Sequence, residues 1–575
     1  MNMPTFTALK KNTKKDMSTL PCCKVAILGD CATQHIAVAL KGWGFTAGLR
    51  FEVLDTDYNQ IDAQTMDPQS EVYTFAPAWC VIANCTDKLY AHYCAFPVGN
   101  RAQFAETMRD RMVSVWQRLG SHCTARILQF NFPAWDDRIF GDFSAKTPDS
   151  FAFQLRKLNY LLSESAAAHK NVFLVDLEGL QSRLGENAVR DAKMYCIAKM
   201  PFRTDFLPYI AKGITDLILA ASGSFKKCVV LDLDNTLWGG VIGDDGLDGI
   251  QIGELGLGHA FSAFQMWLKE LKNRGIILCV CSKNNDDTAR EPFEKHPEMV
   301  LRLEDISVFV ANWEDKAGNI RHIQQTLNIG MDSIVFLDDN PFEREVVRSL
   351  ITGITVPELP ENPEEYVDYL RSLNLFETAS YSEEDKMRTQ QYQAEAQRVS
   401  LQNACGSYED YLQGLEMVAE AKPFDRFHFP RIAQLTQRSN QFNLRTVRYT
   451  EQEIASIAED DRFVTLYFTL KDKFGDHGLI STVIMEKKET CLFVNTWLMS
   501  CRVLKRGMEE FIVNKMLSTA ASLGFKTVIG EYLKTPKNAM VANIYEKLGF
   551  TPIENGRFLA DVAAFTPNKT HITEE

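Results

Sequence analysis

The chain runs to 575 residues, several times the usual length of one domain, so roughly three domains of about 150 to 200 residues are expected rather than a single core. With 62 basic against 75 acidic side chains its net charge is -13, which argues against a nucleic-acid backbone as a partner, and no apolar run is long enough to cross a bilayer. Fourteen cysteines lie scattered without zinc or redox spacing, and the polar start from Met1 to Leu20 lacks the apolar stretch of a secretory signal, which fits a reducing cytoplasm.

Taken in chain order, the β-branched run Lys24 to Leu28 ends at Gly29-Asp30-Cys31 and is answered by the amphipathic segment Thr33 to Lys41, a βα unit. Strands follow at Trp79 to Ala83, Ala125 to Phe130 and Val172 to Val175, separated by the helical stretches Asn100 to Leu119 and Ser150 to Ala168. Residues 1–222 therefore read as a parallel α/β domain. A second series, Cys228 to Leu231, Ile276 to Cys281, Val308 to Val310 and Ile334 to Leu337, defines another over 223–383. From Pro357 to Arg398 the chain turns polar and acidic, as a linker does, and the boundary is placed near Glu384. Beyond it Phe463 to Leu470, Leu479 to Glu486 and Leu492 to Leu498 read as antiparallel strands, followed by a helix from Gly507 to Leu523. The fold class expected is α/β multidomain: two Rossmann-like parallel-sheet domains, then an α+β domain over 384–575.

The chemistry is clearest in the middle domain, where Asp232 and Asp234 stand at the carboxyl end of an apolar strand. One carboxylate can attack a phosphoryl group while a second protonates the leaving oxygen and later activates water, so Asp232 is the nucleophile candidate and Asp234 the acid/base. A phosphoryl dianion approaches carboxylates only with a cation present, and Mg2+ with oxygen ligands is the natural one, held by Asp232 and Asp234 with Asp338 or Asp339 completing its shell. Ser282 ends another strand as a hydroxyl donor, and Lys316 adds positive charge. Only 49 residues lie between Asp232 and Ser282, and 33 between Ser282 and Lys316, too few for a large lid. The Gly-rich stretch Trp238 to Gly258 reads as a small mobile flap, and the open cleft would admit a macromolecular substrate such as a carrier arm.

These four elements in this order resemble the haloacid dehalogenase superfamily. More narrowly, Leu231 to Gly243, Cys281 to Asn285, Asn312 to Lys316 and Leu337 to Arg344 resemble the FkbH-like proteins, as do Gln434 to Asn443, Asp472 to Gly478 and Met499 to Arg502. The resemblance covers most of the chain. It implies that a phosphoglyceryl unit is taken from 1,3-bisphosphoglycerate, dephosphorylated, and passed through an enzyme thioester to an acyl carrier protein. The alternative is a phosphatase/acyltransferase acting on another phospho-metabolite or sugar in polysaccharide or secondary-metabolite biosynthesis.

In the third domain, Arg502-Val-Leu-Lys-Arg-Gly507 between a strand and a helix could offer N–H groups to a pyrophosphate. This loop and Lys537 to Phe550 resemble the GNAT acetyltransferases, which implies CoA or a phosphopantetheine arm bound at Arg502, Arg506 and Gly507, with Asn538, Asn543 and Tyr545 near its thiol end. Against this stands a plain amphipathic helix capped by Gly549. Cys501 is the favoured acyl acceptor, because basic neighbours and a helix start lower a thiol's pKa, with His477 or Asp476 as base or orienter. Cys281 competes because it borders Ser282. Gly29-Asp30-Cys31 resembles the first block of the SGNH hydrolases with cysteine for the nucleophilic serine, and Asn131 stands where their third block would be. With no later Asp-x-x-His to supply a base, that domain reads as non-catalytic, with Cys31 as an outside thiol nucleophile.

Overall fold

The computed structural model describes residues 3–381 and 405–575, together with Ala394, Arg398 and Leu401; the boundary expected at Glu384 lies outside the described residues. The chain forms two compact units, Asn2–Leu219 and Ala220–Glu575. Among the described residues no helix is long and apolar enough to cross a membrane.

The first unit is built on five parallel strands, β1 (Cys22–Gly29), β2 (Arg50–Asp55), β3 (Trp79–Ala83), β4 (Arg126–Phe130) and β5 (Val172–Val175), in the order β2-β1-β3-β4-β5. The central β3 is buried at every position, as a parallel strand covered on both faces must be. The strand order reverses between β1 and β3, so their carboxyl ends open the crevice where such sheets gather ligands, and Asp30 and Cys31 follow β1 there. β2 escapes the sequence patterns because Arg-Phe-Glu-Val-Leu-Asp is an edge strand bonded on one side only, which tolerates charge.

The second unit holds two sheets. Its first comprises β6 (Cys228–Leu231), β7 (Ile277–Ser282), β8 (Ile306–Ala311) and β9 (Ile334–Leu337), all parallel, in the order β8-β7-β6-β9. Alternate residues of β6 serve opposite faces: Val229 and Leu231 pack with Phe264 and Leu268, while Cys228 and Val230 pack with Ile320 and Ile323. Register places Leu231 beside Leu337, so Asp232 and Asp338 leave neighbouring strands at one level. The intervals before Ser282 and Lys316 hold only helices, β7, β8 and the 238–258 segment, with no inserted domain.

One expectation is corrected here. The stretch after Pro357 is not a linker up to Phe376: Tyr366 and Leu370, one turn apart on the helix Tyr366–Leu373, are buried in the core of this sheet together with Phe376 just beyond the helix. The segment Trp238 to Gly258, expected as a small flap, is anchored through a few buried residues while Gly243–Gly246 and Glu254–Leu257 are exposed. Trp238 is fully buried against Phe293, Gly239 and Gln251 exchange both backbone bonds at 3.0 and 2.8 Å, and Ile250 and Ile252 join the core.

The other sheet has eight strands: β10 (Val418–Lys422), β11 (Phe463–Asp472), β12 (Gly475–Lys487), β13 (Cys491–Met499), β14 (Thr527–Glu531), β15 (Thr551–Pro552), β16 (Arg557–Asp561) and β17 (Thr573–Glu574), ordered β15-β16-β14-β13-β12-β11-β10-β17. The helix Met508–Ser522 covers one face and the helix Phe429–Arg438 the other. β13 and β14 run parallel but pair only over Cys491–Phe493 and Thr527–Ile529, then part. The chain's own segment Phe442 to Leu444 occupies the gap: Leu444 N–H donates to the Trp497 carbonyl (3.3 Å), Met499 N–H to that of Phe442 (3.1 Å), and Leu533 N–H to that of Leu444 (2.8 Å).

Candidate active site

At the carboxyl edge of β6 and β9, carboxylate oxygens of Asp232, Asp338 and Asp339 come within 4.8 Å of one another. Lys316, the first residue of the helix Lys316–Leu327, reaches between them, its Nζ 3.0 Å from Asp232 Oδ2 and 2.6 Å from Asp338 Oδ2. These groups are sunk in the protein, with Asp338 at 0 % and Lys316 at 3 % exposure. Three hard oxygen donors at this spacing fit a small divalent cation, and one ammonium does not offset three carboxylates.

Burial, with the Asp232 charge second, pushes the Asp338 carboxyl up to about 7 although Lys316 pulls the other way. Burial likewise raises Asp339 and Asp234. For Lys316 burial acts downward, but the two carboxylates outweigh it and hold the ammonium well above its ordinary value.

Asp234 stands apart from that cluster, which corrects its expected role as a side-chain metal ligand. Its Oδ1 accepts from Trp238 Nε1 and from Ile242 N–H, both at 3.0 Å, and its Oδ2 from Asn284 Nδ2 at 3.0 Å. The anchored 238–258 segment is thus what aims the acid/base candidate. Ser282 ends β7, the strand beside β6, and is 2 % exposed. Sequence reasoning missed Arg344 as a positioning residue: its Nη1 donates to the carbonyls of Asp338 (2.8 Å) and Asp339 (2.6 Å), fixing the acidic turn from behind. Thr236 does the same from the front, its Oγ1 accepting the Asp339 N–H at 3.1 Å. An arginine six residues after a strand-end acid was the available signal.

The residues expected to hold CoA or a carrier arm are mostly consumed by internal bonds. Arg506 is 4 % exposed and faces Asp472 (3.8 Å) and His477 (3.4 Å). Gly507 does open the helix Met508–Ser522, at φ 82, but Glu509 takes the Lys505 N–H at 3.1 Å and puts a carboxylate where a pyrophosphate would need bare N–H groups. Asn538 is wholly buried, its amide donating to the Asn443 and Leu533 carbonyls (both 2.9 Å) and accepting from Thr535 N–H (2.7 Å) and the Tyr532 hydroxyl (3.2 Å). Tyr545 is a core side chain against Trp497, 1 % exposed, and Asn543 is exposed ahead of a one-turn helix. The slot between β13 and β14 is filled by the chain itself.

His477 is also corrected as a base for Cys501. Its ring meets Asp472 at 3.0 Å, inside a buried network that Arg398 closes with two bonds to the same carboxylate (2.6 and 2.7 Å). Burial pushes the imidazole down to about 4, so it stays neutral at pH 7, and among the described residues no hydrogen bond joins it to Cys501. Asp476 accepts its own turn's Gly478 N–H at 2.7 Å. Cys281 fails as an acyl acceptor: it is 0 % exposed within the core, and burial drives its thiol well up.

Cys501 itself begins a short 3-10 turn and is half-buried, its carbonyl accepting from Asn328 Nδ2 at 2.5 Å. Asn328 lies just ahead of β9, so Cys501 sits at the amino edge of the β6–β9 sheet, opposite Asp232. At about 3.3 Å per residue, the strand between Lys227 and Asp232 alone separates the two edges by roughly 16 Å.

In the first unit Cys31 is 0 % exposed, its thiol 3.6 Å from the Ala83 carbonyl. Asn131 spends its side chain capping the turn at Asp176, accepting from Leu177 N–H (2.6 Å) and Glu178 N–H (3.1 Å). Burial raises Asp30 to about 6, although Asn84 and the Cys85 N–H stabilise its anion.

Residues 24–219 match the family described as FkbH, N-terminal domain. The chain is similar to the solved N-terminal part of a Bacteroides fragilis protein, described as containing a phosphatase domain and complexed with Mg, at 49% identity over 66% of this chain and 100% of that one, with a TM-score of 0.63. The Escherichia coli ribosomal-protein-S18-alanine N-acetyltransferase is 15% identical over 26% of this chain and 99% of that one, and its TM-score of 0.20 carries no argument. No curated protein matches the chain.

Proposed function

This chain belongs to the FkbH-like family and carries a phosphatase domain of the haloacid dehalogenase type, and from that premise we propose that it loads a small acyl unit onto a carrier, removing phosphate with Mg2+ on the way. The favoured substrate is 1,3-bisphosphoglycerate, and the favoured acceptor an acyl carrier protein. The single observation that supports the phosphoryl step is Lys316 seated between Asp232 and Asp338, beside a third carboxylate.

Asp232, Asp338 and Asp339 would hold the Mg2+, which supplies the positive charge that lets a phosphoryl dianion meet carboxylates. Asp232 attacks the phosphorus of the 3-phosphate, and the departing hydroxyl takes its proton from Asp234, whose carboxyl burial keeps protonated more readily than usual. Water, deprotonated by Asp234, then cleaves the aspartyl phosphate and releases inorganic phosphate. The Asn284 amide suits both stages, because it can offer its NH2 to the carboxylate or its oxygen to the acid. Lys316 and Arg344 hold the acidic turn in place throughout.

For the acyl step, the Cys501 thiolate attacks the acyl carbon of the mixed anhydride and expels the 1-phosphate, leaving a thioester that a carrier thiol can take. Since Cys501 and Asp232 face opposite sheet edges, the 3-phosphate leaves before the unit reaches Cys501 or after it has moved on. That separation also favours a second reading, in which the phosphatase works alone on another phospho-metabolite.

The test is the intact mass of the protein after incubation with Mg2+ and 1,3-bisphosphoglycerate, with Asp232→Asn and Cys501→Ala alongside. A hydroxylamine-labile adduct on wild type and Asp232→Asn, lost in Cys501→Ala, is expected; it is heavier by one phosphate on Asp232→Asn if the 3-phosphate leaves before the unit reaches Cys501, and equal in mass on the two if it leaves afterwards. Phosphate release without any adduct sinks the acyl step and leaves the second reading.

A further inference from the structure

Two motifs that the phosphoryl chemistry leaves unused, Gln434 to Asn443 and Met499 to Arg502, meet around one cavity of about 290 Å3 in the second unit. Lys227 and Asp332, just ahead of β6 and β9, form its floor at the amino edge of that sheet, and Cys501 lines its wall. The charge is one-sided. Among the described residues, Lys227, Arg431, Arg438, Arg502 and Lys537 line the cavity against one carboxylate, Asp332.

That carboxylate is already committed. Lys537 Nζ lies 2.5 Å from it and Lys226 Nζ 2.7 Å from its carbonyl; burial opposes ionisation, yet Lys537, with Lys226 and Lys227 behind it, keeps the group below its ordinary value. Arg502 spends Nε on Ser500 Oγ (3.2 Å) and Nη2 on the His477 carbonyl (3.5 Å), while its Nη1 is buried with no hydrogen-bond partner among the described residues. A charged donor left bare in this way is unfavourable until an acceptor oxygen arrives, and forked guanidinium groups suit phosphoryl oxygens best.

We propose that this cavity binds a phosphoryl anion beside Cys501, a second anion site on the opposite edge of the sheet from Asp232. At about 30 Å3 per water-sized group the space holds roughly ten such groups, enough for a small phosphorylated acid or the phosphate end of a carrier arm. Binding here does not depend on acyl transfer and is expected whether or not Cys501 is ever acylated.

The full chain, free of Mg2+ and at low ionic strength, is alkylated with iodoacetate and with iodoacetamide, and Cys501 is compared by peptide mass spectrometry with the exposed Cys94. The anionic reagent should be favoured at Cys501 at least about tenfold more than at Cys94, an advantage that salt removes. Inorganic phosphate should slow Cys501 alone; 3-phosphoglycerate protecting better than phosphopantetheine identifies a free metabolite, and the reverse a carrier arm. Arg438→Gln and Arg502→Gln, each checked for folding by thermal unfolding, should both lower the ratio and weaken protection. Equal ratios at the two cysteines, or no protection by phosphate in the wild-type chain, overturn the proposal.

Discussion

If Asp338 holds the Mg2+ as proposed, it should set the pH at which the phosphatase site can be loaded. Its carboxyl is raised from 3.8 to about 7, first by burial and then by Asp232. A divalent cation needs it ionised, so below pH 7 each Mg2+ bound displaces a proton, and affinity falls about tenfold per pH unit while staying flat above. Between pH 7.5 and 5.5 the expected loss is about 25-fold. Calorimetric titration in two buffers of different ionisation heat counts the protons directly: close to one per Mg2+ at pH 5.5 and close to none at pH 8. The same group acts on the stability of the metal-free protein. The folded carboxyl keeps its proton to about pH 7 while the unfolded one releases it near 3.8, so the folded state holds more protons in between. Stability therefore drops as pH rises through that window, by on the order of 4 kcal/mol for this group. His477, pushed down to about 4, slopes the opposite way between pH 4 and 6.5, so wild type minus Asp338→Asn is the difference to read. Mg2+ affinity independent of pH from 5.5 to 8, with no proton release, would refute the reasoning.

Lys316→Met strips the cation from two buried carboxylates and should cost about 3–5 kcal/mol of stability without metal, with Mg2+ restoring more of the unfolding temperature than it adds to wild type. Trp238→Phe removes one donor from Asp234 and should lower kcat about tenfold with KM unchanged; wild-type kcat in steady-state assays would mean Ile242 and Asn284 suffice. Asp472→Asn leaves Arg398 and Arg506 without their shared buried counter-ion and should destabilise the eight-stranded sheet by about 3–5 kcal/mol, measured by urea unfolding with hydrogen exchange of the β11 and β12 amides read by peptide mass spectrometry.

What could be read from the amino-acid sequence divides along physical lines. Strands such as Trp79–Ala83, Cys228–Leu231 and Ile334–Leu337 are uninterrupted apolar runs buried on both faces, and their limits coincide with expectation. Edge strands such as Arg50–Asp55 carry charge on an open side and show no such pattern. Acids at the ends of buried strands were legible because each strand end is also a sheet edge, which gathered Asp232 and Asp338. Arg506, Asn538 and Tyr545 misled for the converse reason: a polar side chain looks the same in sequence whether it faces a ligand or its own neighbours. Their partners lie far along the chain, Asn538 and Asn443 being 95 residues apart, and only folding brings them together.

The segment Phe442 to Leu444, wedged where β13 and β14 part, has a consequence for how the eight-stranded sheet assembles. Two parallel strands can zip from Cys491 and Thr527 with their local neighbours, but the diverging ends around Trp497 and Leu533 stay open until a distant stretch docks between them. That closure brings together contacts of long sequence separation and so belongs late in folding, after most of the loop entropy has been lost. Until then two bare ladder edges face solvent, the kind of surface that recruits strands from other molecules, so the aggregation hazard of this chain is concentrated in the interval before Asn443 is locked in place.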